Sequence, residues 1–271
     1  MRYSAKIDLG YPHTEGFILT EKDANKDTGN VGRSARNASA DAQSSIVNRQ
    51  SSIVARKGIY QSFDAAGNVM ADERWRIART VGGGARVDTD TVRIAPFSEP
   101  RNESFGLELA PGLAYARLAI HAARDKRESR ADFDAGRASI CWRIDDTSRT
   151  RDYDWATDCE IDYNSPLFNM VTLWRHPLAV GESSVLRVVA LDHVTFEPSW
   201  MRQVYVRLAD EQHETRFGLQ RLAHYQVDWG GENRLCHFWC DRTGVVFDWQ
   251  SFAGGGYKLV AVNFPGEISD L

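Results

Sequence analysis

Long apolar runs are missing from this chain of 271 residues. No stretch approaches the ~18 uninterrupted apolar residues of a membrane-spanning helix, so membrane insertion is not expected. Met1 to Gly10 lacks the basic start and apolar core of a secretory leader. Cysteine is sparse: Cys141, Cys159, Cys236 and Cys240 stand far apart or, in the last pair, four residues apart. Such usage gives no disulfide framework and fits free thiols in a reducing cytoplasm. Lysine is scarce too, since the 33 basic residues include only Lys6, Lys22, Lys26, Lys57, Lys126 and Lys258. A positive excess is absent: the net charge is −4 and the pI about 6.0. That balance disfavours nucleic acid and anionic membrane surfaces as partners.

Signatures of known chemistry are also missing. Val81-Gly-Gly-Gly-Ala85 has neither the Gly-Lys-Ser/Thr ending of a phosphate loop nor a GxGxxG followed by a helix, and it reads as a hairpin turn. Gly254–Gly256 reads the same way. No GxSxG elbow, HExxH or His-x-His occurs, and the seven histidines are scattered. Cys236-His-Phe-Trp-Cys240 looks like a metal knuckle. On a strand, however, Cys236, Phe238 and Cys240 face one side, with His237 and Trp239 on the other. Zinc needs converging ligands, so two small thiols in a core are expected, with no metal. Nothing marks a site for NAD, flavin or haem, and no cofactor is expected.

What the chain does contain is strands. From Ile53 onward, turn signals recur at Asp64–Gly67, Gly82–Gly84, Pro111–Gly112, Asp134–Gly136, Gly181, Gly230–Gly231, Asp241–Gly244 and Gly254–Gly256. The stretches between them are rich in Val, Ile, Trp, Tyr and Phe. This spacing suits an antiparallel meander, sandwich or barrel. Glu21 to Gln50 is rich in Asp, Asn, Ser and Ala with almost no large apolar residue, and residues 1–50 read as an irregular N-terminal arm; 51–271 read as a single β-barrel-like domain. Alternation assigns faces. Glu73, Trp75 and Ile77 share one, with Arg74 and Arg76 opposite. Met201, Gln203, Tyr205 and Arg207 share another, with Trp200, Arg202, Val204, Val206 and Leu208 opposite. Val185 to Leu191 is apolar on both faces, as in a strand covered on both sides. One greasy face and one mixing aromatics with Arg, Gln and Tyr suit either a sheet curved around an amphipathic ligand or a plain half-buried sheet.

The densest stretch of functional residue types runs from Asp158 to His176. Glu160 and Asp162 share a strand face, with Cys159, Ile161 and Tyr163 opposite. Asn164-Ser-Pro166 ends that strand, Asn169 is expected in the turn that follows, and a second strand then places Leu173 and Arg175 opposite Trp174 and His176. Such a corner is either a ligand site or a structural corner with a charge cluster.

These residues resemble a family. Asp158-Cys-Glu-Ile-Asp-Tyr-Asn-Ser-Pro-Leu-Phe-Asn169, Trp174-Arg175 and Leu178-Ala-Val-Gly-Glu182 are similar to the signature of the putative glycolipid-binding protein family. Glu197-Pro-Ser-Trp-Met-Arg-Gln203-Val-Tyr205 resembles its Pro…Gln-x-Tyr strand, and Cys240-Asp241-Arg-Thr-Gly244-Val-Val-Phe-Asp-Trp249 its Asp-x-x-Gly hairpin. The likeness is clearest over 137–257. The chain departs from the pattern in having one Arg followed by His176 where the family has two adjacent Arg residues, a longer step from Asn169 to Arg175, and no Pro after the Asn. The resemblance implies a large meandering antiparallel sheet, curled into an incomplete barrel like bacterial lipoprotein carriers, with a cavity for an amphipathic ligand.

The expected fold is therefore all-β, with little helix. The expected function is binding of a hydrophobic or amphipathic small molecule, glycolipid-like or aromatic, inside the curled sheet. Arg175, Tyr163, Asn169, Trp174, Gln203 and Tyr205 are the candidate ligand contacts. The alternative is a cofactor-independent lyase, isomerase, hydratase or decarboxylase. There Asp162 or Glu160 would be the base, His176 an acid, Arg175 the anion holder and Tyr205 a donor.

Overall fold

The computed structural model describes residues 55–94, 100–122, 127–134, 136–230 and 234–263. The arm expected over 1–50 lies outside them. Alternating sequence becomes strand almost throughout. The first eight strands are β1 (Arg56–Phe63), β2 (Val69–Arg79), β3 (Ala85–Arg93), β4 (Arg101–Leu109), β5 (Tyr115–Ala122), β6 (Arg127–Asp134), β7 (Arg137–Ile144) and β8 (Thr147–Asp154). After β9 (Cys159–Asp162) comes a helix, α1 (Pro166–Arg175), and then β10 (Ser183–Leu191), β11 (Pro198–Arg207), β12 (Glu211–Thr215) and β13 (Gly218–Asp228). The last three are β14 (Leu235–Cys240), β15 (Val246–Gln250) and β16 (Gly256–Val262). Both glycine runs form the tight hairpins expected, joining β2 to β3 and β15 to β16.

All of these strands belong to one 16-stranded sheet, ordered β8-β7-β6-β5-β4-β3-β2-β1-β16-β15-β14-β13-β11-β10-β9, with β12 paired to β13. Pairing is antiparallel except where α1 carries the chain from β9 to its parallel neighbour β10. The two ends of this path, β8 and β9, are consecutive in sequence and joined by residues 155–158. That link spans at most roughly 18 Å, so the sheet must curl until its ends meet. Across the seam the Tyr153 ring packs edge-on against Trp200, and the Tyr153 hydroxyl and Arg151 Nη1 both donate to the Pro198 carbonyl, at 3.2 and 2.8 Å. No ladder joins β8 to β9, so the barrel stays open.

The register stacks the inner side chains into rows across the strands. Ile77, Val87, Leu107, Leu118, Ala131 and Ile140 form an apolar row. Two residues along lies a mixed row of Trp75, Thr89, Phe105, Ile120, Ser129 and Trp142. The next is polar, with Tyr60, Glu73, Thr91, Glu103, Ala122 and Arg127. All three rows are buried. The concave face is thus graded from greasy to polar along the strands.

Against this face lies α1, about 15 Å long. Its residues from Pro166 to Leu173 are buried without a break, as for a helix enclosed on every side. This corrects the expected turn at Asn169 and second strand over Leu173–His176. The starting signals were present. Ser165 caps the helix by accepting from the Leu167 amide, and Pro166 opens it, where a missing N–H is harmless. The both-sides-covered reading of β10 holds for Val188–Leu191, whereas Val185 and Arg187 are exposed. On β14, Cys236, Phe238 and Cys240 do pack in the core. Burial pushes the Cys236 thiol up to about 12 and the Cys240 thiol higher still.

Candidate functional site

Carboxylates hold α1 at both ends. At its start, Ser165 Oγ donates to Glu73 Oε1 on β2 at 2.7 Å. At its end, Arg175 Nε donates to Glu160 Oε1 on β9 at 2.6 Å, and His176 Nε2 meets the same oxygen at 2.7 Å. The other Glu160 oxygen accepts from Tyr115 at 2.5 Å and Thr172 at 3.3 Å. Arg175 also donates to the Leu113 carbonyl, and its guanidinium lies 4.4 Å from the centre of the Tyr115 ring. Burial drives the Glu160 carboxyl upward, but His176 and Arg175 outweigh it and hold the group below the ordinary range.

The other candidate residues are all hydrogen-bonded within the protein, Gln203, Tyr205, Asn169 and Tyr163 to side chains and Trp174 to the backbone. Gln203 Nε2 donates to Asp162 at 2.9 Å, and the Tyr205 hydroxyl donates to Asn169 at 3.1 Å. Tyr163 donates to Glu103 at 2.9 Å. Trp174 turns away from this group and donates to the Thr243 carbonyl at 2.8 Å. There its indole crosses Gly244 (φ +86°), where a Cβ would lie 3.1 Å from Nε1. The Asp241-x-x-Gly244 turn is thereby seated on α1. Where the family pattern has a second Arg, His176 supplies the second donor to Glu160. The structure thus brings Glu160, Arg175 and His176 into one cluster, with Asp162–Gln203 and Asn169–Tyr205 as adjacent pairs. Tyr163 belongs to a different network.

Sequence reading missed that second network. Arg93 Nε donates to Glu103 Oε2 at 2.7 Å, and Tyr257 donates to Asn164 at 2.8 Å. Glu73 sits nearby with its carboxyl pushed up to about 7 by burial, against the pull of Ser165 and Arg93. Burial likewise pushes Asp162 up to about 6, against the pull of the Gln203 amide. Alternation had placed Glu73 on the face of Trp75 and Ile77, which was the available signal: a carboxylate on an apolar strand face. The histidines, scattered in sequence, also partly gather: Trp239 is stacked between His213 and His224, with ring centroids 4.1 and 4.6 Å away. Among the described residues no group of His, Cys, Asp and Glu has the arrangement of a metal site.

Arg175 offers a direct test of this bracing. Lysine keeps the charge but cannot reach Glu160 and the Leu113 carbonyl together through a planar fork. Arg175→Lys is expected to cost about 1–2 kcal/mol of stability, read by urea unfolding. An unchanged midpoint with weakened ligand binding would instead make Arg175 a ligand contact.

A family model described as "Putative glycolipid-binding" matches residues 68–254. The chain belongs to this family. The matched region reaches further toward the N-terminus than the motifs over 137–257, and takes in both carboxylate anchors of α1. The fold is similar to the crystal structure of a beta-barrel-like protein of the domain of unknown function DUF1849 from Brucella abortus. That match has a TM-score of 0.54 at 10% identity and covers 79% of this chain and 99% of that one. A DUF1089 family protein from Pseudomonas aeruginosa is 18% identical over 72% of this chain and 89% of its own, with a TM-score of 0.36. None of the curated proteins matches the chain.

Proposed function

We propose that this member of the family binds an amphipathic small molecule of glycolipid type between α1 and the concave face of the sheet. The observation that carries the reading is the grading of that face. Apolar rows suit an alkyl or aromatic portion, and the row through Glu73, Thr91 and Glu103 suits a polar head. Small-molecule sites combine apolar walls with a few placed polar groups in this way. Several polar atoms of these rows are buried without a hydrogen-bond partner among the described residues: Trp75 Nε1, Ser129 Oγ and Glu103 Oε1. Each such atom costs about 1–3 kcal/mol when left unpaired, and ligand hydroxyls would satisfy them. Because α1 occupies the same concavity, binding shifts the helix, and its hydrogen-bonded ends are the contacts that yield.

Ser129 gives a clean test, because removing an unpartnered hydroxyl breaks no bond within the protein. The probe is octyl β-D-glucoside below its micellar concentration, followed by the fluorescence of Trp75 and Trp142 on the same row. Saturable binding is expected, weakened several-fold in Ser129→Ala, while stability is unchanged or rises by up to about 1 kcal/mol. Absence of saturation, or equal binding by the variant, would overturn the reading.

A further inference from the structure

On the convex side, β1, β2 and β3 enclose a groove of about 380 Å³, lined by Lys57, Ile59, Arg74, Arg76, Asp88 and Asp90 over the backbone of Gly58 and Trp75. The sheet separates it from the concave face. The register arranges its side chains in two cross-strand rows, Lys57–Arg76–Asp88 and Ile59–Arg74–Asp90. Neighbouring strands lie about 4.8 Å apart and the rows about 7 Å apart, so the six backbone positions spread over roughly 10 by 7 Å, a span the long Lys57 and Arg74 side chains can narrow around one sugar ring. On the concave side of the same strand, Gly58 is required by packing. Its missing side chain makes room for the Trp75 indole, which a Cβ would meet at 2.4 Å.

The charges are only partly spent. Arg76 pairs with Asp88 at 3.0 Å, and Arg86 holds the other Asp88 oxygen at 2.7 Å. The Lys57, Arg74 and Asp90 side chains make no hydrogen bond or ion pair among the described residues. Two free cations thus stand beside one free carboxylate, with Ile59 as the apolar element between the strands. A polyanion is opposed by Asp90 and Asp88. A neutral sugar leaves Lys57 and Arg74 without an anion. An acidic sugar answers both: its anionic group pairs with Arg74 and Lys57, and its neighbouring hydroxyls donate to the two acceptor oxygens of Asp90.

We infer that this groove is a binding site for an acidic sugar, a hexose carrying one carboxylate or phosphate, either free or as the head of a lipid. The inference is independent of the concave site, and Ser129→Ala leaves it untouched.

The experiment is a titration of the 15N-labelled protein with glucuronic acid, glucose 6-phosphate, glucose and inorganic phosphate, followed by amide shifts. Glucuronic acid and glucose 6-phosphate are expected to move amides of β1–β3 and to bind at least roughly tenfold tighter than glucose or phosphate. Arg74→Gln and Asp90→Asn are each expected to weaken binding by a similar factor. Neither variant breaks a bond, so the melting temperature should hold. Comparing octyl with methyl glucuronide separates the two sources: a gain from the octyl chain marks a lipid head, and equal binding marks the free sugar. Phosphate binding as tightly as the acidic sugars, or full binding by either variant, would overturn the assignment. So would shifts confined to other strands.

Discussion

Glu160→Gln is expected to lower stability by about 3–5 kcal/mol, a loss of roughly 10 °C in melting temperature for a chain of this size. The substitution is nearly isosteric, so it isolates the charge. Glu160 is 1% exposed, and the Arg175 side chain facing it 10%. Without the carboxylate, Arg175 is left charged and poorly solvated, held against Tyr115 and the Leu113 carbonyl. The deficit is an uncompensated buried charge more than a lost bond, and that makes a second outcome predictable. Glu160→Gln combined with Arg175→Met removes both the carboxylate and the stranded cation, and should recover a large part of the loss. Thermal and urea unfolding of the two variants measure this. A single-variant cost below about 1 kcal/mol would mean that Arg175 reaches water and that the end of α1 is not held as described. Because Glu160 is held below the ordinary carboxylate range, its contribution is present above about pH 4.5. It is lost as the pH falls through its lower folded value.

Glu73→Gln is expected to act in the opposite sense and to depend on pH. The carboxyl ionises near 4.5 in the unfolded chain and near 7 in the fold, where burial opposes its charge. Between those values the folded state keeps a proton that the unfolded state has released, so stability falls as the pH rises. The penalty is complete above about pH 7 and amounts to roughly 3 kcal/mol. Glutamine can still accept from Ser165 and carries no charge. The variant should therefore match the parent below about pH 4.5 and exceed it by up to about 3 kcal/mol at pH 8. Asp162 titrates in the same sense between 3.8 and about 6, so the variant retains a smaller slope below pH 6. Melting temperatures at pH 5 and pH 8 on both proteins decide the matter. A gap that does not widen toward pH 8 would show that Glu73 is already ionised without cost. If ligand binding displaces α1, it also frees Ser165 from Glu73, and affinity in the parent should then rise with pH over the same window.

Much of the molecule was legible in the sequence because strand geometry is local. Successive side chains point to opposite faces whatever the rest of the chain does. Alternation therefore placed Glu73, Trp75 and Ile77 together, put Gln203 and Tyr205 on one side of β11, and marked the glycine-rich hairpins. The corner from Asp158 to His176 was also recognisable by its density of polar types. Its helix was not read. An enclosed helix buries residues without a 3.6-residue apolar period, and Leu167 to Trp174 then looks like a strand, despite the Ser165-Pro166 start.

By itself, then, the sequence determined a mostly β chain, the positions of its hairpin turns and the alternation of faces on its strands. All of these follow from backbone geometry acting over a few residues. Only the tertiary structure decided which face is inside. On β11 the mixed face of Gln203, Tyr205 and Arg207 is buried, while Val204 and Val206 on the other face are only half-buried. The reason is that Asp162 on β9 and Asn169 on α1 offer Gln203 and Tyr205 hydrogen-bond partners there. Tertiary structure also decided that Ser165 meets Glu73 across 92 residues and that Tyr115 meets Glu160 across 45. Such pairings depend on how far a long meander curls before its ends meet, and no local pattern in the chain carries that information.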